Sequence, residues 1–70
     1  ARFVQIGSFR DPGQAQATAG KLARLGVPVA RAKDGRAELI LVGPLKGREA
    51  IVRMIERLRH AGYGDLRARR

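Results

Sequence analysis

Shifted against itself by 36 positions, the 70-residue sequence keeps its pattern. Ile6-Gly7 falls on Val42-Gly43, Phe9-Arg10 on Leu45-Lys46, Ala15 on Ile51, Ala19 on Ile55, Leu22 on Leu58 and Gly26 on Gly62. Few residues are identical, but apolar, basic and glycine positions recur in the same order. Each half reads strand, turn, helix, glycine stop, strand. Two units are too few to stack as a solenoid, which takes about three or more. A chain this short also has room for only one small core. The repeat therefore predicts one α+β domain of order β-α-β-β-α-β, ferredoxin-like, with a four-stranded antiparallel sheet and both helices packed on one face.

Local patterns place the elements. Arg2 to Ile6 alternates as a half-buried strand does, with Val4 and Ile6 on one face and Phe3 and Gln5 on the other. Asp11-Pro12 reads as an N-cap with proline in the first turn, and the helix carries Ala15, Ala19, Leu22 and Leu25 on one side before Gly26 and Pro28 end it. Gly20 inside that helix costs about 1 kcal/mol relative to alanine. Pro28 to Ala32 gives a second strand, Asp34-Gly35 a hairpin turn, and Glu38 to Val42 a third strand closed by Gly43-Pro44. The second helix, Arg48 to Ala61, presents Ile51, Met54, Ile55 and Leu58 to the core and Arg53, Glu56 and Arg57 to solvent. Gly62 stops it, and Asp65 to Arg69 forms a last strand with Leu66 and Ala68 inward.

The residue inventory points away from catalysis. Cysteine is absent, which removes disulfides, thiolate metal sites and thiol chemistry together. The lone histidine, His60, belongs in the last turn of the second helix, where the dipole favours a cation; it is not placed to serve Ser8 as a base. Asp11, Asp34, Glu38, Glu49, Glu56 and Asp65 fall at caps, turns and solvated faces, so no facing carboxylate pair is predicted. Gly43-Pro44-Leu45-Lys46-Gly47 precedes a helix but lacks the phosphate-loop spacing, and it reads as a strand-to-helix turn. No metal or cofactor is implied, and the chain reads as a binding module.

Charge names the sign of the partner. Fifteen Lys+Arg against six Asp+Glu leave a formal net charge of +9, which suits nucleic acid, anionic lipid or an acidic polysaccharide. With helices on one side, the other side of the sheet offers Phe3, Gln5, Ala37, Leu39, Leu41, Arg67 and Arg69, and the leucines predict an apolar patch suited to a ligand or a dimer contact. The topology is shared with RNA-recognition motifs, which stack bases on aromatics of the first and third strands. Aromatic residues make up 4% of this chain, and Glu38-Leu39-Ile40-Leu41-Val42 holds none. Single-stranded RNA binding is thus the alternative reading. Lipid binding is weaker still, because the arginines are spread along the chain. The absence of a signal peptide or initiator methionine suggests a domain taken from a longer protein.

Phe3-Val4-Gln5-Ile6-Gly7-Ser8-Phe9 resembles the opening strand of SPOR domains: an apolar pair, Gln, an apolar residue, Gly, Ser or Ala, Phe. Leu41-Val42-Gly43-Pro44-Leu45 is similar to the family's third-strand exit, and the helix-ending Leu25-Gly26 and Ala61-Gly62 fit as well. The likeness covers the whole chain and is greatest to the family's cell-division members. It implies a non-catalytic, monomeric C-terminal module of a periplasmic envelope protein, one whose parent chain is compatible with a membrane anchor. It also implies binding to peptidoglycan at the division septum, with preference for glycan strands denuded of stem peptides and no nucleic acid as partner.

The same resemblance lays the ligand across the open sheet face. It carries the first-strand contacts to Gln5 and Ser8 and a fourth-strand contact to Arg67. The family's third-strand aromatic and arginine correspond to Ala37 and Leu39, a departure that leaves Arg36 or Arg31 to supply the missing charge. The chemistry is coherent. Removing a stem peptide leaves a lactyl carboxylate on each muramic acid, arginine forks pair with carboxylates, and a glutamine can donate and accept at once toward sugar hydroxyls and acetamido groups.

Overall fold

A computed structural model describes residues 2–69; Ala1 and Arg70 lie outside the described residues. The elements run β1 (Phe3–Phe9), α1 (Pro12–Arg24), β2 (Val29–Asp34), β3 (Ala37–Val42), α2 (Gly47–His60) and β4 (Arg67–Arg69). The strands form one sheet in the order β2-β3-β1-β4, every neighbouring pair antiparallel. This is the β-α-β-β-α-β architecture the repeat predicts.

The core lies between one sheet face and the two helices. Val4 and Ile6 from β1 and Ile40 and Val42 from β3 meet Ala15 and Leu22 of α1, Ile51 and Leu58 of α2, and Val27. Leu22, Ile40, Leu58, Val4 and Val42 are the largest fully buried side chains. Each such apolar side chain contributes about 1.5–3 kcal/mol relative to exposure. Small residues at Ala15 and Ala19 let α1 lie close to the sheet, and α2 compensates with Met54 and Ile55 around the same cluster.

Helix ends follow the sequence signals. The Asp11 carboxylate accepts from the Gly13 backbone N–H at 2.9 Å, and Pro12 opens α1. At the end of α2, Tyr63 N–H donates to Leu58 O and Gly62 N–H to Arg59 O, both at 3.0 Å. With Gly62 at φ 102°, this pair closes the helix as a Schellman motif and brings Tyr63 onto the core.

Three expectations need correction. The hairpin loop is Gly35-Arg36, since Asp34 pairs with Ala37. Gly35, at φ 62°, takes the first central position of a II′-like turn, and Arg36 follows it with negative φ. β1 runs on to Phe9, beyond Ile6, and β4 begins only at Arg67. Leu39 and Leu41 do not form an exposed patch: they are 7% and 8% exposed. β3 has a strand on each side, and the side chains beside it close over the leucines. Ala68 does face the helix side, pairing with Val4, but β4 is an edge strand and leaves it exposed.

Two glycines should respond oppositely to alanine. Gly20 is exposed within α1, and an added Cβ meets nothing within 4 Å. Gly20→Ala is expected to raise unfolding free energy by about 0.5–1 kcal/mol. Gly43, at φ 150°, would bring a Cβ to 2.7 Å from both Arg2 O and the Phe3 ring. Gly43→Ala is expected to lower stability by roughly 1–3 kcal/mol. Urea denaturation of the two variants reads both signs.

Candidate functional site

Strict alternation from Val4 and Ile6 would send Ser8 to the helix side. The sheet avoids this with an irregularity in β1: Gln5 pairs with Leu41, but Gly7, two residues on, pairs with Ile40. Ile6 is the extra residue of a bulge, and the pairing continues as Ser8 with Leu39 and Phe9 with Glu38. The switch of parity puts Ser8 on the same face as Gln5. It also turns Phe9 toward the core, where its ring occupies the space a Cβ on Gly7 would need, at 2.9 Å. Gln5, Ser8 and Leu39, all expected from sequence to meet ligand, thus come together.

The register fills in the rest of the open face. β4 adds Arg67, directly opposite Gln5, and Arg69, opposite Phe3. β2 adds Ala30, Ala32 and Asp34 through their pairing with Leu41, Leu39 and Ala37. Two shallow depressions lie side by side here. One, of about 410 Å³, is lined by Gln5, Ser8, Arg67 and Ala68; the other, of about 430 Å³, by Phe3, Ala30, Arg31, Ala32, Lys33 and Leu41. Asp34, Leu39 and Arg69 line both. Leu39, Leu41, Ala30 and Ala32 lie beneath, the β4 rim carries two arginines, and the β2 rim carries the Asp34 carboxylate beside Arg31 and Lys33.

The two arginines offered to replace the missing third-strand charge are separated by this geometry. Arg31 pairs with Ile40 and so faces the helix side. There its Nη2 donates to Gln16 Oε1 at 2.9 Å and its Nε lies 3.5 Å from Glu38 Oε2. Its guanidinium is thus engaged on the helix side, although the residue borders the larger depression. Arg36 is exposed at the hairpin tip, next to Ala37 and Asp34 at one end of the face. Ala37 is half-buried and Leu39 buried, so β3 contributes floor and no charge.

Sequence reasoning assigned the fourth-strand role to Arg67 and overlooked what Arg69 does. Arg69 Nη1 donates to Gln5 Oε1 at 2.7 Å, a diagonal cross-strand contact. The signal for it was the i, i+2 spacing of Arg67 and Arg69, which puts both on one face. The bond also qualifies the expectation that Gln5 donates and accepts freely: its carbonyl end is engaged.

Other polar groups serve the fold. Arg57, expected on the solvated side, donates through Nη2 to Leu25 O at 2.6 Å and so caps α1 from α2. Arg53 lies 3.8 Å from Glu49 in a highly exposed pair of little energetic weight. His60 ends α2 on the helix side of the sheet, with Ser8 on the other. A further cleft of about 540 Å³, lined by Arg2, Pro44, Leu45, Lys46 and Gly47, covers the turn that superficially resembles a phosphate loop. It holds none of the residues expected to bind ligand. Among the described residues, no group of three or more His, Asp or Glu could hold a metal ion, and no helix is long and apolar enough to cross a membrane.

A family model described as SPOR domain matches residues 1–67. No curated protein and no solved structure gives a significant match.

The facial assignment of Arg31 is testable without a ligand. Arg31→Ala should shift the side-chain amide resonances of Gln16 in a ¹H–¹⁵N spectrum and leave those of Gln5 in place. Movement of Gln5 instead would put Arg31 on the open face.

Proposed function

The chain belongs to the SPOR domain family, a non-catalytic, peptidoglycan-binding family of the cell envelope, and from that premise we propose that its open sheet face binds glycan strands denuded of stem peptides. On this reading the domain works in the periplasm and targets its parent protein to the division septum. The observation that carries the reading is the convergence of Gln5, Ser8, Arg67 and Arg69 on one face through the β1 bulge. Such a face offers hydrogen-bond donors and positive charge over an apolar floor, the complement of a sugar ring bearing a carboxylate. Phe3, with Ala30 and Ala32, gives the ring apolar surface to rest on, and Asp34 can accept from hydroxyls on the far side.

Affinity on an open face comes from several modest contacts. An exposed arginine–carboxylate pair contributes roughly 0.2–1 kcal/mol and weakens with salt. A denuded strand repeats the carboxylate along its length, so adjacent depressions can be filled by one chain. RNA binding draws on the same topology and charge, but Phe3 is the one aromatic on this face. Phe9 and Tyr63 pack on the core side, leaving no stacking pair on β1 and β3.

Retention on purified sacculi, with and without prior amidase treatment, tests the proposal. Binding should rise after amidase treatment, fall with added salt, and drop about tenfold for the Gln5→Ala, Arg67→Ala double variant. Equal binding to both preparations, or full binding by the double variant, overturns it. A gel shift with single-stranded RNA should show no complex at concentrations that saturate the glycan.

A further inference from the structure

Gln5 occupies the centre of the open face, on a central strand, with Arg67 opposite it and Ser8 beside it in the same depression. A free glutamine amide is ambiguous there. It can turn either end toward a ligand and so meets a hydroxyl as readily as a carboxylate. Arg69 removes the ambiguity. A guanidinium has donors and no acceptor, so a hydrogen bond between these side chains has one polarity: Arg69 Nη1 gives and Gln5 Oε1 takes, at 2.7 Å. The Gln5 Nε2 group, with its two donors, is then the end directed away from Arg69.

We propose that Arg69 is a positioning residue: it fixes the Gln5 amide so that Nε2 meets the ligand, which selects a carboxylate or acetamido carbonyl oxygen at that point of the glycan over a hydroxyl hydrogen. This rests on the glycan-binding reading above. Three features support it. Arg69 is held by its backbone as well as its side chain, because its carbonyl accepts from Arg2 N–H at 2.8 Å and the residue pairs with Phe3. Arg69 borders both depressions, which places its bond to Gln5 beside the ligand. Around Gln5, the remaining side-chain groups that line the depression are the donors of Arg67, the Ser8 hydroxyl and a single carboxylate, Asp34. A donor at Gln5 joins those of Arg67 and Ser8, so the part of the face next to β4 is rich in donors, while its carboxylate, Asp34, lies at the β2 end beside Arg31 and Lys33. The bond is exposed and adds little to stability; its effect is preorganisation, since the amide need not be turned when the ligand arrives.

A double-mutant cycle with amidase-generated soluble glycan strands tests this, alongside the side-chain amide resonances of the free protein. Arg69→Met keeps an apolar stem and the backbone pairing but removes the donors. It should move the Gln5 side-chain amide signals toward those of exposed Gln14 and leave the thermal midpoint nearly unchanged. It should weaken glycan binding about fivefold in the wild-type background, the scale of one hydrogen bond, and less than twofold in a Gln5→Ala background. Arg69→Lys, which can still donate to Oε1, should restore most of the binding, and Gln5→Glu, which replaces the donor with an acceptor, should bind worse than Gln5→Ala. An equal loss in both backgrounds would falsify the positioning role, because Arg69 would then touch the ligand independently of Gln5. Unmoved Gln5 signals in Arg69→Met would do the same. A wild-type protein that ignores the glycan removes the proposed function, while the amide signals still decide whether Arg69 orients Gln5.

Discussion

The antiparallel pairing of β1 with β3 carries both sides of this domain. On the helix side it sets Val4 against Val42 and brings Ile6 beside Ile40, which together make the wall on which both helices pack. On the other side it sets Gln5 against Leu41 and Ser8 against Leu39. One extra residue in β1 reconciles these two demands. Without the bulge at Ile6, the period of two would direct Ser8 into the helices and Phe9 out into water. With it, Phe9 closes the end of the core over Gly7, and the polar pair stays on the open face. The packing of Phe9 and the placing of Ser8 beside Gln5 are therefore set by the same irregularity, and a change that relaxed it would disturb both.

The charge of the molecule is unevenly used. Arg67 and Arg69 are the basic side chains that β4 brings to the open face, and Arg36 stands at its edge. Arg31, Arg53 and Arg57 answer to Glu38, Glu49 and the end of α1 on the helix side. On the proposed reading, net charge supplies long-range attraction to a polyanionic glycan and a few donors held in fixed positions supply selectivity.

Much of the fold was legible because the signals were local. The N-cap at Asp11-Pro12, the stops at Gly26 and Gly62 and the apolar faces of both helices are each written within a few consecutive residues. The 36-residue repeat supplied the topology, since its two halves must share one core. The hairpin was misplaced by one residue, because Asp34-Gly35 and Gly35-Arg36 are both acceptable turns and the β2–β3 register chooses between them. The covered leucines were misjudged for a related reason. Alternation tells which face a side chain takes, but exposure depends on how much the neighbouring strands cover.

The candidate site divides along the same line. Gln5, Ser8 and Arg67 could be named from a pattern, because a short sequence motif fixes residue types and spacing. Alternation already put Gln5 and Arg67 on one face; that Ser8 joins them could not be read, since it depends on a bulge that no residue type in Gln5-Ile6-Gly7 makes obligatory. Arg31 and Arg36 were equivalent as sequence, and pairing across the sheet assigned one to Gln16 and Glu38 and the other to the hairpin tip. The contact between Arg69 and Gln5 joins residues 64 positions apart. The order of the elements and the location of the core could be read along the chain, because periodicity and caps act within a turn or a strand. Only the tertiary structure decided which donors share a face and which way Gln5 points, because those follow from strand register, a property of two segments at once.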